Sequence, residues 1–397
     1  MTQNIQDLFT QFMDAKPIII NRNALSISFT PDTIPHREKQ IDDVARILAP
    51  ALKGERPSNI FIYGRTGTGK SLVASRVTAE LEKASANGNN IKVVYANCKM
   101  KHSADTEYRL IAYLAKELGE ELPFTGLPTD RVYSAFFNLL DKKKQVMILI
   151  IDEIDSLVKK TGDEVLYNLT RINQELKNSR ICVVGITNDL GFINNVDPRV
   201  RSSLSEEELV FPPYNAMQLQ DILKQRADMA FREGSLGEGV LAKCSALAAQ
   251  EHGDARRALD LLRVAAELAE RSGADAIKIE HVDAAEAKID TDRTIETIKA
   301  QPKQSKVVLY SIIQLAEKDN NINTGDVLEL YNENCKRAGV RPLTQRRISD
   351  LIAELDLFGI ITTRVISKGR HGRTRIISLA LSPPVNKKAK DALEQIF

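Results

Sequence analysis

The sequence predicts an α/β protein: a core with a parallel sheet between two helical layers, then a small all-helical lid, then a C-terminal winged helix. Three observations carry this reading. Near-continuous apolar segments, IFIYG, IKVVYANC, VMILIIDE and RICVVGIT, alternate with helical patterns over the first half of the chain, as expected of strands buried on both faces. After LVFPPYN the pattern becomes helix-only as far as Asp292. The remainder holds two helices joined by a short turn, then two β-rich segments joined by SKGRHG. Domain boundaries are expected at 1–214, 215–300 and 301–397.

Length and composition agree. A chain of 397 residues exceeds one ordinary core, so two or three domains are expected. With 43% hydrophobic and 27% charged residues it reads as a folded protein. Its longest aliphatic run, VMILII, is far shorter than a membrane span, and MTQNIQDLFTQF has no basic segment leading into an apolar one. Cys98, Cys182, Cys244 and Cys335 are scattered without metal-ligand spacing or a disulfide framework. A reducing, cytoplasmic (nucleoid-associated) setting with no membrane partner is the expectation. The net charge of +2 hides an asymmetry: from Gln301 onward there are 16 Lys and Arg against 10 Asp and Glu, which leaves −4 on the rest. A basic C-terminal region joined to a mildly acidic body points to a polyanionic partner at that end.

The first strand, IFIYG, runs into Gly64-Arg65-Thr66-Gly67-Thr68-Gly69-Lys70-Ser71. This fits the G-x-x-x-x-G-K-[ST] phosphate loop at every fixed position, with the strand before and helix after that the motif requires. Glycines let backbone N–H groups turn inward around an anion, and the helix N-terminus adds its dipole. Lys70 is expected on the β- and γ-phosphates of ATP or the β-phosphate of ADP, and the Ser71 hydroxyl on Mg²⁺. The strand VMILII ends in Asp152-Glu153, which places two carboxylates at the sheet edge where ligands bind in open α/β folds. Asp152 is the second expected Mg²⁺ residue; Glu153 is the expected general base for the attacking water. Asp155 is expected at the surface or as a cap. At the end of the next strand, Asn188 is positioned to orient water between Glu153 and the γ-phosphate.

The C-terminal region parses on its own. A helix from about Gly325 to Arg337 is followed by AGVRPL, and Thr344 caps a second helix that ends near Asp356. On that second helix Ile348, Leu351, Ile352 and Leu355 recur at helical spacing and face the core. Gln345, Arg346 and Ser349 are left on the outer side near its start, where a recognition helix meets bases and phosphates; Arg347 points elsewhere. The hairpin tip supplies Lys368, Arg370 and Arg373 around two glycines, suited to a phosphate backbone or a minor groove. Arg341 to Ile376 holds eight basic against three acidic residues. Double-stranded DNA is the expected partner.

The phosphate loop, DEID, GITND and GDARRALDLLR together resemble the AAA+ ATPases, and within them the archaeal replication initiators related to the origin recognition complex and its helicase-loading partner. The resemblance runs from PHREKQID to GRHGRT; the first thirty or so residues and the closing NKKAKDALEQIF add little to it. It implies that Asn188 is the sensor-1 asparagine and that Arg256, rather than Arg257, is the sensor-2 arginine of a helical lid. It implies that His36 and Arg37 pack near the adenine. It also implies that Arg199 or Arg201, in DPRVRSSL, stands where a trans-acting arginine finger is carried, without choosing between them. Between ANCKM and VMILII it implies an added helical element near DNA, with Lys99 to His102 supplying charge. The activity implied is a slow, regulatory ATPase. The implied partners are origin DNA, a replicative helicase, and other copies or paralogues of the chain. A winged-helix transcription regulator with an ATPase switch and a clamp-loader-like subunit are the competing readings.

Overall fold

A computed structural model describes residues 16–85, 90–99, 104–123, 125–317, 322–367 and 373–396. The chain divides into two compact units, Met1–Val282 and Asp283–Phe397.

The first unit is built on the strands β1 (Ile60–Gly64), β2 (Ile91–Asn97), β3 (Val146–Asp152), β4 (Arg180–Thr187) and β5 (Glu207–Phe211). They form one parallel sheet in the order β2-β3-β4-β1-β5. Every residue of β3 is buried, as a central strand between two helical layers must be. Alternate side chains feed two separate cores. On one face Ile60, Ile62, Ile148, Ile150, Val184 and Ile186 pack under the helices α1 (Glu38–Leu48) and α2 (Lys70–Ser85). On the other, Phe61, Met147, Leu149, Ile151 and Val183 meet α3 (Glu107–Glu117), α4 (Thr129–Leu140), α5 (Ile154–Thr161) and α6 (Glu164–Arg171). The four expected strands are all present. The fifth, EELVF, has the burial of an edge strand, with only Phe211 fully inside, so its sequence carries little apolar signal. The long stretch between β2 and β3 holds two helices, α3 and α4, as expected. The short helix α7 (Pro198–Leu204) precedes β5.

The helical part follows as α8 (Ala216–Ala230), α9 (Val240–Gln250) and α10 (Ala255–Arg271). A reciprocal cap opens α8: Gln218 N–H donates to Asn215 Oδ1 at 2.9 Å, and Asn215 N–H to Gln218 Oε1 at 3.0 Å. The N-terminal segment, which adds little to the family resemblance, is fastened to these helices. Ile20 N–H donates to Ala230 O at 2.8 Å and Arg232 N–H to Ile18 O at 3.0 Å. Ile18 and Ile19 both donate to Glu270 Oε1 at 3.0 Å. The buried Arg226 donates to Ala24 O and Phe29 O, both at 3.0 Å, and lies over the Phe29 ring.

The second unit has the helices α12 (Lys303–Ala316), α13 (Thr324–Arg337), α14 (Gln345–Leu357) and α15 (Pro383–Glu394), with the antiparallel strands β6 (Ile322–Asn323), β7 (Ile361–Ser367) and β8 (Arg373–Leu379) in the order β6-β8-β7. Helix–helix–hairpin is the expected winged helix. Through TIETIKAQPKQSK, α11 (Ile279–Ala300) runs over the first half and α12 starts at Lys303, and Ile295 and Ile298 are buried in the second unit's core. The closing segment is likewise structural, since α15 buries Val385, Ala389 and Leu393 in that core. Among the described residues no helix is long and apolar enough to cross a membrane.

Gly253, just before α10, has φ +69°, and a Cβ there would lie 2.3 Å from the Tyr214 carbonyl oxygen. Gly253→Ala therefore combines left-handed strain with a backbone clash, and a loss of at least about 1 kcal/mol is expected. A lowered Tm in thermal unfolding checks it.

Candidate nucleotide site

The carboxyl ends of β1, β2, β3 and β4 open on one cleft of about 390 Å³. It is lined by the phosphate loop (Gly67 to Ser71), by Tyr95 and Asn97 from β2, by Asp152 and Glu153, by Asn188, and by Ala255 and Arg256 from the lid. Residues far apart in sequence converge there because parallel register aligns the strand ends: Asn97 pairs with Asp152, Asp152 with Ile186 and Tyr63 with Thr187.

Lys70 is the electrostatic centre. Its ammonium is buried and donates to Gly64 O at 2.8 Å, Arg65 O at 2.7 Å and Asn188 Oδ1 at 2.8 Å. Burial pushes its pKa down to about 8; Asp152, Glu153 and Asp254 act in the opposite sense, whereas Arg256 adds to the depression. Asn188 is thus coupled directly to Lys70. Arg256 lies in the cleft, with its backbone N–H capped by Asp254 Oδ1 at 2.8 Å. Its neighbour Arg257 is turned away and pairs with Glu251 at 3.0 Å.

The lid touches the loop itself. Ala255 N–H donates to Gly67 O at 3.2 Å, and a Cβ on Gly67 would fall 1.6 Å from Asp254 Oδ1. Glycine at this position is required by the lid as much as by the anion cradle.

Ser71 Oγ–H donates to Asp152 Oδ2 at 2.6 Å, and Glu153 N–H to Asp152 Oδ1 at 2.9 Å. A hydroxyl and a carboxylate held together are hard oxygen donors of the kind Mg²⁺ takes, so these residues fit the expected ion. Glu153 has φ 57° and ψ 42°, a left-handed conformation uncommon for glutamate and concentrated at functional positions. Its carboxylate is 3.8 Å from Lys99 Nζ. Met100, Lys101 and His102, the rest of that basic stretch, lie outside the described residues. Asp155 is neither surface nor cap: it is buried, accepting from Thr187 Oγ1 at 2.8 Å and from Lys159 Nζ at 3.2 Å, and so fastens α5 to the end of β4.

His36 and Arg37 do not line the cleft. His36 Nε2 lies 2.9 Å from Asp221 Oδ2 on α8. Arg37 is 2% exposed and its guanidinium works as a cross-brace. It donates to Thr68 O at 2.8 Å, His36 O at 3.1 Å and Pro212 O at 2.6 Å, and stacks 3.8 Å from the Tyr214 ring centroid. Burial lowers its pKa, which for a guanidinium leaves the charge in place. Instead, the apolar wall of the cleft comes from Ile27, Phe29, Pro31, Ile34, Pro35, Ile222 and Leu259. Sequence reading missed Ile27 and Phe29 because the segment around them shows no periodicity, and Pro31, Ile34, Pro35, Ile222 and Leu259 because none of them carries a motif.

Arg199 and Arg201, on α7, are exposed and outside the cleft. Arg199 is bound bidentately by Asp197, both contacts at 3.1 Å, and lies over the Tyr167 ring. In the second unit, Ile348, Leu351, Ile352 and Leu355 are buried and Gln345 and Arg346 exposed. Ser349 Oγ–H turns back to Gln345 O at 3.0 Å, and Arg347 faces Asp350 and Glu354. Arg375, not singled out from sequence, donates to Ser349 O at 3.3 Å and joins the hairpin to that helix. Lys368 and Arg370 lie outside the described residues; Arg373 is the first residue of β8.

Comparison with known proteins matches this layout. A family model described as an AAA domain covers residues 53–190, one described as a Cdc6 AAA+ ATPase-type lid domain covers 220–287, and one described as a CDC6 C-terminal winged helix domain covers 296–389. An ORC1-type DNA replication protein of Pyrococcus abyssi is 53% identical over 386 residues, which are 96% of this chain and 91% of that protein. The chain belongs to the ORC1-type DNA replication protein family. Within that family, a Methanosarcina mazei member is 50% identical over 396 residues, 99% of this chain and 94% of its own. A solved structure of the Aeropyrum pernix ORC1 protein in complex with DNA is 45% identical, with a TM-score of 0.80 over 95% of this chain and 97% of that one. The resemblance to archaeal initiators read from the motifs is therefore correct, as is the order of AAA+ core, helical lid and winged helix.

An AAA domain model covers the residues 53–190 that hold the phosphate loop, Asp152 and Asn188 of this cleft; for a nucleotide bound there, the depressed Lys70 pKa gives binding a pH signature. Bound triphosphate raises that pKa, so affinity is full below about 8 and falls as pH rises beyond it. In EDTA the ATP Kd is expected to climb by about tenfold per pH unit at most, with proton uptake in calorimetry. Lys70→Arg should flatten the profile, because a guanidinium stays charged.

Proposed function

We propose that the chain is an ATP-regulated initiator: it binds double-stranded origin DNA through the winged helix and helps load a replicative helicase, with slow hydrolysis as the switch. The observation that carries the nucleotide half is the meeting of three independent elements on one cleft. Lys70 comes from the loop, Asn188 from the end of β4 and Arg256 from the lid. A γ-phosphate entering there competes with Asn188 for Lys70 and adds charge opposite Arg256. ATP and ADP differ in that contact, so the lid contacts at Asp254 and Ala255 differ between the two states.

In the chemical step, Lys70 neutralises phosphate oxygens and Asn188 orients the attacking water. Glu153, one residue beyond Asp152, accepts the water's proton. Ser71 and Asp152 would hold Mg²⁺, which would supply charge neutralisation for the phosphates. No strong cationic partner in trans is required by this reading. A role for Arg199 would need release from Asp197, and Arg201, which among the described residues has no carboxylate partner, is the less restrained of the two.

The DNA half is supported by the exposed basic start of α14, the C-terminal charge excess, and the DNA-bound Aeropyrum pernix relative. Gln345 and Arg346 are the proposed contacts on the recognition helix, with Lys368, Arg370 and Arg373 on the wing. Further copies or paralogues are proposed as neighbours on the same DNA. Footprinting on genomic DNA separates this reading from a transcription regulator: protection of an origin element supports it, and protection of promoters overturns it.

Lys70→Ala is expected to abolish ATP binding while leaving nucleotide-free duplex affinity within a few-fold, read by fluorescence anisotropy. Arg346→Ala should weaken binding to all duplexes and lower the salt slope by about one; an unchanged slope moves the contact surface off α14.

A further inference from the structure

We infer that Tyr95 is a positioning residue for the divalent cation, a role no motif gives it; this rests on the nucleotide reading above. The phenol hydroxyl donates to Asp152 Oδ2, the same oxygen that receives the Ser71 hydroxyl at 2.6 Å. Asp152 Oδ1 receives Glu153 N–H. The carboxylate expected to hold the metal is thus fixed by three donors from three elements: β2, the phosphate loop and the start of α5. Of these, the Tyr95 hydroxyl is the only one whose removal leaves the loop, the backbone and the carboxylate itself in place.

The placement follows from strand geometry. Tyr95 pairs with Ile150 and Asn97 with Asp152. Successive even steps along a strand put side chains on one face, so Tyr95 and Asn97 both line the cleft. Tyr95 is 38% exposed at the cleft wall while its hydroxyl reaches Asp152. Tyr113 Oη–H donates to Tyr95 O at 3.1 Å, which anchors that part of β2 to α3. An aromatic ring has few rotatable bonds, so its hydroxyl holds the carboxylate plane at low entropic cost.

Without that hydroxyl, Asp152 keeps only the Ser71 and Glu153 donors and a lone pair of Oδ2 is left unpaired, so the carboxylate is held less tightly. Outer-shell hydrogen bonds to ligating carboxylates commonly matter by about 10- to 100-fold in metal affinity. Tyr95→Phe removes one oxygen and keeps the ring.

The test is Mn²⁺ affinity in the presence of ATP, read by electron paramagnetic resonance on the full chain, beside ATP affinity in EDTA read by calorimetry. Tyr95→Phe is expected to weaken Mn²⁺ by about tenfold, with the metal-free ATP affinity and the Tm at those of the unmodified chain; Asp152→Asn marks the full loss. Mn²⁺ affinity equal to that of the unmodified chain overturns the inference. So does an equal loss of ATP affinity with and without metal, which makes Tyr95 part of the cleft wall and nothing more. If the unmodified chain holds no Mn²⁺ with ATP, the nucleotide reading itself fails and this inference falls with it.

Discussion

The first unit is organised around one buried positive charge. Lys70 is only 5% exposed, and an isolated ammonium in such a place is strongly disfavoured. Two carbonyl oxygens of its own loop and the Asn188 amide oxygen solve that problem. The solution constrains everything near it. The loop must curl so that Gly64 and Arg65 present carbonyls inward, β4 must lie beside β1 so that Asn188 arrives, and β3 must bring Asp152 close without neutralising the cation outright. A sheet of order β2-β3-β4-β1-β5 meets all three conditions. A site that holds its lysine with internal acceptors can exchange one of them for phosphate, and the proposed switch assigns the reading of that exchange to the lid.

A second buried cation makes the arrangement rigid. Arg37 ties the start of α1, the loop at Thr68 and the carbonyl of Pro212 into one cluster, with Tyr214 as its stacking surface. Tyr214 in turn packs against Gly253 at the threshold of α10. A chain of contacts therefore leads from the phosphate loop to the helix that carries Arg256, without any residue of the loop leaving its place. The N-terminal segment joins the same assembly from the other side, held by Glu270 and Arg226 while it supplies the apolar wall of the cleft. Core and lid are one compact unit for this reason.

The second unit is stabilised differently. Its centre is α12, whose Val307, Val308, Ile312 and Ile313 are fully buried under α13, α14 and α15. Inside it, Asn334 donates to Ser311 Oγ at 3.0 Å and Gln314 Oε1 at 2.8 Å, a satisfied polar network that fixes α13 against α12. This leaves the outer face of α14 free of structural duty, and Gln345 and Arg346 stand there.

Much of the molecule was determined by local pattern alone. Continuous apolar runs specify central strands, G-x-x-x-x-G-K-S specifies an anion cradle, and the spacing of Ile348, Leu351, Ile352 and Leu355 specifies which face of α14 is buried; each is a short-range property that a linear chain displays. Family membership was legible for the same reason, since Asp152, Asn188 and Arg256 sit in motifs. What tertiary structure decided is whatever depends on a partner distant in sequence. β5 is a strand because β1 offers it an edge, not because EELVF is apolar. Arg37 and Asp155 are buried because Thr68, Pro212 and Thr187 satisfy them, where their charge alone suggests the surface. Ile27, Phe29, Pro31, Ile34 and Pro35 became part of the wall of the cleft, and Tyr95 reached Asp152, because strand register and lid packing carried them there. Burial of a polar group is a property of its surroundings, and only the folded chain supplies those.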